Sequence, residues 1–147
     1  RAEPVAGCRV QALGVLWYEA VAAPAFVRTH FADGVTARAL ARAPLIDFDR
    51  RDDLQSRWLV ARGADASLPP RHRVPASQDF ATAATLGLGW ARLPQLQAQP
   101  GLADGTLVAL GGPGIDVPLY WQQWNLRSAL LDAVANEVVA EGRRVLR

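Results

Sequence analysis

Asp47, Asp49, Asp52 and Asp53 form the densest group of chemically capable side chains in this sequence. Carboxylates so placed serve either to cap and polarise a helix start, or to pair with a cationic ligand at the end of a strand. Capping alone is sufficient cause here: Asp49 suits an N-cap, Asp52 and Asp53 fall in a first helical turn, and Arg50 and Arg51 offset the charge. Ser77 is the second candidate, a hydroxyl ahead of a helical pattern whose free amides would suit an anion. The aromatic run Tyr120, Trp121 and Trp124 reads as core or interface.

Other chemistries lack their residues. The two histidines, His30 and His72, and the lone Cys8 have no metal-ligand spacing, so no metal and no cofactor is expected. No G-x-S-x-G elbow or Cys/His pairing signal supports an enzyme. Gly87-x-Gly89 lacks the third glycine of a dinucleotide fingerprint and precedes a strand instead of following one. Gly111–Gly114 contains proline and opens no helix.

The elements that must position these groups follow from pattern. Residues 77–94 read as helix, glycine turn, short strand and proline stop, half of an α/β crossover unit. Around it, strands are expected at 9–13, 16–23, 45–48, 72–74, 107–110 and 117–124. Helices are expected at 25–31, 37–42, 49–62, 95–99 and 128–146, the last with an apolar stripe of Leu131, Val134, Val138 and Val145. Strands alternating with helices predict an α/β domain with mostly parallel strands, whose ligands sit at the strands' carboxyl ends. Phe48-Asp49 and Pro75–Ser77 are the two places where a strand end meets a helix start.

Composition sets the frame. The 147 residues suffice for one domain with a real core, half are hydrophobic, and a fifth are charged. All sixteen basic residues are arginine, yet the net charge is only +2 and no run is dense enough for a nucleic-acid stripe. A single cysteine excludes an internal disulfide framework, no apolar run reaches membrane-spanning length, and no signal peptide is visible. A cytoplasmic setting fits, and a start at Arg1 suggests a fragment of a longer polypeptide.

The ordered set of Ser77, Gly87-Leu88-Gly89-Trp90, Leu93-Pro94, Leu102-x-x-Gly105-x-Leu107-Val108 and Pro118-Leu119-Tyr120, then a terminal helix, resembles the effector-binding domain of LysR-type transcriptional regulators. Asp47-Phe48-Asp49-Arg50-Arg51-Asp52-Asp53-Leu54-Gln55, the same Gly87-Leu88-Gly89-Trp90, and Asp116-Val117-Pro118-Leu119-Tyr120-Trp121-Gln122 narrow it. They resemble the lysine- and arginine-responsive regulators of amino-acid export, the LysG/ArgP branch, also called chromosome replication initiation inhibitors.

The resemblance implies a periplasmic-binding-protein type 2-like fold of two Rossmann-like subdomains, the first incomplete in this chain. Residues 1–20 would end subdomain I and cross over, 21–115 would form subdomain II, and 116–147 would return to subdomain I. The N-terminal winged helix-turn-helix would be absent. Carried over position by position, the effector contacts would be Phe48, Asp49 and Ser77, with Trp17 and Tyr18 near the crossover. Asp49 would face the cationic tail of lysine, arginine or histidine, and Ser77 the effector carboxylate. The implied protein is a homodimeric or homotetrameric sensor, not an enzyme, meeting DNA only through the absent domain and no membrane. The alternative is a stand-alone periplasmic-type solute-binding protein.

Overall fold

A computed structural model describes residues 2–147. Contacts divide the chain into two units: Arg1–Trp17 with Asp116–Arg147, and Tyr18–Ile115.

Strand β1, Cys8–Ala22, runs through both. Two strands were expected on either side of Gly14, but a single strand runs through it. Gly14, at φ +140°, instead admits the chain end: a Cβ there would lie 2.7 Å from the Leu146 Cβ. Val15 and Arg147 exchange backbone hydrogen bonds of 2.9 and 3.2 Å across that approach.

In the first unit β1 pairs with β6, Ile115–Trp124, and α6, Ala129–Val145, packs alongside. The Ser128 hydroxyl caps α6 by accepting from the Leu131 amide at 3.4 Å. The buried face of α6 is Ala135, Val139 and Gly142, not the expected stripe. Leu131 is 37% and Val134 44% exposed. Small residues win the contact because the helix lies close: a Cβ at Gly142 would sit 3.1 Å from Leu13.

In the second unit, β2, Leu45–Asp47, and β3, Arg71–Arg73, run parallel with Ile46 opposite His72. The Ile46 amide donates to Trp90 O at 2.9 Å and the Trp90 amide to Pro44 O at 3.1 Å. That parallel bridge leads into β4, Ala91–Pro94. β1 then pairs antiparallel with β4 and with β5, Val108–Ala109. The sheet is therefore mixed rather than mostly parallel. β1 is not joined to its neighbours by a single crossover helix, so nothing forces it parallel.

Alternation sends successive strand residues to opposite faces. Ala20, Ala22, Leu45 and Trp90 join one core with Phe26, Phe31, Leu40, Trp58 and Leu59. Those partners come from α1, Pro24–His30, α2, Ala37–Leu40, and α3, Leu54–Ala61, with Phe31 just beyond α1. Val21, Ile46, Ala91 and Leu93 join the other core with Phe80, Ala84, Ala98 and Leu107. Its helices are α4, Ser77–Thr85, and α5, Gln95–Asp104. The unit is thus a sheet with helices on both faces.

Two helix boundaries differ from expectation. α3 starts at Leu54 rather than at 49, because Asp49 and Asp52 bind amides of the intervening loop and hold it out of the helix. α5 continues through Pro100 instead of stopping at 99, since Ala98 and Gly101 are buried and anchor the turns on both sides. Among the described residues no helix is long and apolar enough to cross a membrane.

Candidate functional site

The parallel pair β2 and β3 ends at one edge. The Val74 amide donates to Asp47 O at 3.0 Å, so the two chains leave that edge side by side. One continues into the acidic loop, the other into α4. The Phe48 and Phe80 rings, with centroids 6.2 Å apart, fasten the loop to α4. Four of the expected residues therefore belong to the second unit, and three of them, Phe48, Asp49 and Ser77, meet at this edge.

The four aspartates do four different jobs. Asp47, 3% exposed, pairs with Arg71 at 2.8 Å. Burial pushes its carboxyl up from the ordinary range, while the hydrogen bond and charge of Arg71 pull it back. Arg71 also donates to Ser56 Oγ at 3.1 Å and to Ala66 O at 2.5 Å. Asp52 closes the loop, accepting from the Phe48 amide at 2.8 Å, the Leu54 amide at 3.1 Å and Gln55 Nε2 at 3.2 Å. Gln55 is fully buried and its Nε2 also donates to Ile46 O. Asp53 is the N-cap of α3 without a side-chain bond. Asp49 shapes the turn: its Oδ1 accepts from the Arg51 amide at 2.6 Å and the Asp52 amide at 3.1 Å. Its side chain is exposed, and no ion pair reaches it among the described residues.

Ser77 is exposed and opens α4, but it is the first helical residue, not the cap. Ala76 takes the cap position and offers no side-chain acceptor, so Ser77 does not spend its hydroxyl on capping. The helix thus presents its first-turn amides and positive dipole end at this edge, tempered by Asp79 in the first turn.

Tyr18 lies on β1, half-buried. Burial raises its phenol pKa, and the negative charge of Asp52 raises it further. The phenol therefore stays a neutral donor facing the field of the acidic loop. Trp17 falls in the first unit, where the Arg147 guanidinium lies 4.5 Å from its ring centroid. Asp52, Gln55 and Arg71, which hold the loop in shape, were absent from the expected site. Only the crowding of aspartates hinted at them. Among the described residues no group of three or more His, Cys, Asp or Glu could hold a metal ion.

Residues 3–143 match the LysR substrate binding domain family, and the chain belongs to it. The lysine export transcriptional regulatory protein LysG of Corynebacterium efficiens is 41% identical over 99% of this chain and 50% of its own length. The crystal structure of ArgP from Mycobacterium tuberculosis superposes with a TM-score of 0.93 at 39% identity, over 100% of this chain and 51% of that one. Full-length LysG from Corynebacterium glutamicum with bound effector Arg superposes at 0.88 with 36% identity, over 100% and 50%. The chain spans about half the length of the curated relatives it matches.

Proposed function

We propose that this chain is the effector-sensing part of a LysR-type transcriptional regulator that binds a basic amino acid and controls amino-acid export genes. The observation that carries this reading is the shared edge of β2 and β3, where an unpaired, exposed Asp49 carboxylate lies on a loop fastened to the open N-terminus of α4. Asp49 receives the cationic tail of arginine, lysine or histidine. The α4 amides and the Ser77 hydroxyl receive the carboxylate. Phe48 and Tyr18 supply the wall and a neutral hydrogen-bond donor. The relatives LysG and ArgP, and the arginine bound to one of them, support the choice of ligand class.

In the same reading residues 1–20 and 116–147 belong to the family's first subdomain and 21–115 to the second. DNA is met by a helix-turn-helix domain outside these residues, as relatives named HTH-type regulators suggest. The protein acts in the cytoplasm as a homodimer or homotetramer, and catalyses nothing.

Asp49→Asn is the discriminating variant. An asparagine oxygen still accepts from the Arg51 and Asp52 amides, so the loop keeps its shape while the charge is lost. Titration calorimetry on the full-length protein with arginine, lysine and histidine is expected to show binding to the parent. The variant should bind at least about tenfold more weakly, ~1.4 kcal/mol. Equal affinity would remove Asp49 from the site, and no binding of any basic amino acid to the parent would remove the ligand class.

A further inference from the structure

Arg92 is a charged side chain in a place that alternation reserves for a large hydrophobe. Its neighbours Ala91 and Leu93 face one core, so Arg92 faces the other, on the side of Trp90. It is 1% exposed, and no carboxylate forms an ion pair with it among the described residues. A buried guanidinium without a counter-charge is costly, so its retention calls for specific contacts.

Those contacts are two backbone carbonyls. Nη2 donates to Tyr18 O at 2.5 Å and Nη1 to Pro113 O at 3.1 Å. Tyr18 is the first residue of the Tyr18–Ile115 unit, and Pro113 lies two residues before its last. They stand at or close to the two points at which the chain passes between the units. One fork from β4 therefore holds both crossings from the second unit's side. The planar guanidinium suits the task, because it can present two donors at a fixed spread where an ammonium is a single point. Around it, burial and the like charge of Arg57 draw its pKa down to about 10, while Glu19 opposes them. Arg92 stays charged at neutral pH.

We propose that Arg92 is a positioning residue, clamping the β1 and β6 crossings at one spacing and, if the effector reading holds, fixing Tyr18 for ligand. Gly112 packs beside the same crossing: at φ +80°, its Cβ would lie 2.6 Å from Arg62 Nη1 and 3.1 Å from Trp58 Nε1. The approach to Pro113 thus has a backbone shape that other residues strain to adopt.

The test uses the full-length protein with Arg92→Met and Arg92→Lys, read by hydrogen exchange, thermal melting and arginine calorimetry. Methionine fills the space without the charge, so the expected melting temperature is unchanged or higher. Exchange in peptides over 15–22 and 110–117 should nevertheless rise roughly tenfold, the effect of losing a charged hydrogen bond, with Arg92→Lys in between. Arginine affinity should fall in step. Unchanged exchange at both crossings in folded variants would overturn the clamp, as would a uniform rise across the whole second unit. Should Arg92→Met fail to fold, Arg92→Lys carries the same comparison. Increased exchange at the crossings with no arginine binding even to the parent would uphold the clamp and remove the effector reading.

Discussion

Asp47 and Asp49 stand two residues apart and behave oppositely. Asp47 is the last residue of a fully buried strand, so its charge is tolerable only against Arg71. Asp49 is past the strand end and turns to solvent. Removing Arg71 should therefore be worse than neutralising Asp47. Arg71→Ala leaves a buried carboxylate unpaired, a loss of about 3 kcal/mol in urea melts at pH 7. Asp47→Asn keeps a polar group beside Arg71, which retains Ser56 and Ala66, and should cost about 1 kcal/mol. The pH dependence separates the cases. Burial already raises the Asp47 pKa, and loss of Arg71 raises it further. Between the unfolded and the folded pKa the native state holds a proton that the unfolded state has released. Stability of Arg71→Ala should thus rise as pH falls through that window. A deficit that does not shrink as pH falls toward the ordinary carboxylate range would show that Asp47 is not the group left unpaired.

At the scale of elements, the short helix–turn–strand from α4 to β4 joins the two sheet segments. Gly87 takes φ +81°, but Gly89 is glycine for a different reason. A Cβ at Gly89 would lie 3.0 Å from Pro44 O and 3.0 Å from Ile46 Cγ1. Pro44 O is the acceptor of the Trp90 amide, so it cannot retreat without breaking the bridge between β2 and β4. Gly89→Ala should destabilise the chain by about 1–3 kcal/mol, the usual cost of overpacking, measured by denaturant unfolding. Gly63→Ala makes a useful contrast: nothing lies within 4 Å of its Cβ position, and only its φ of +71° is at issue. Gly89 has no positive φ to explain a loss, so an unchanged unfolding midpoint for Gly89→Ala would show that crowding against Pro44 and Ile46 is not what keeps a glycine there.

Across the whole molecule, burial is uneven. In Tyr18–Ile115, Val21, Leu45, Ile46, Trp90, Ala91 and Leu93 are all fully buried, and the Trp58 and Trp90 rings meet 4.9 Å apart. In the other unit the described residues that are buried reduce to Gln123, Ala135, Val139 and Gly142, while Leu130 is 75% and Trp124 64% exposed. Local stability follows buried contact. Native-state hydrogen exchange should therefore protect β2, β4 and the 18–22 end of β1 well above α6 and β6. Equal protection throughout would show that the two units unfold as one.

The sequence by itself determined the family, through ordered short motifs such as Gly87–Trp90 and Asp116–Gln122. It also determined the α/β class and the existence of most elements, because period, caps and glycine stops are local properties of the chain. Ser128 and Thr36 are hydroxyl residues at the starts of helical patterns, and each accepts a first-turn amide, from Leu131 and from Ala39. The tertiary structure alone decided which aspartate is buried, which turns the loop and which faces water, since those roles depend on Arg71, Gln55 and Phe80 arriving from elsewhere. It alone decided that Ala135, Val139 and Gly142, rather than the larger residues, face the sheet: close approach rewards small side chains, and distance between elements is not written in periodicity. It also decided that Arg92 should be buried, because the two carbonyls it binds lie 74 and 21 residues away along the chain.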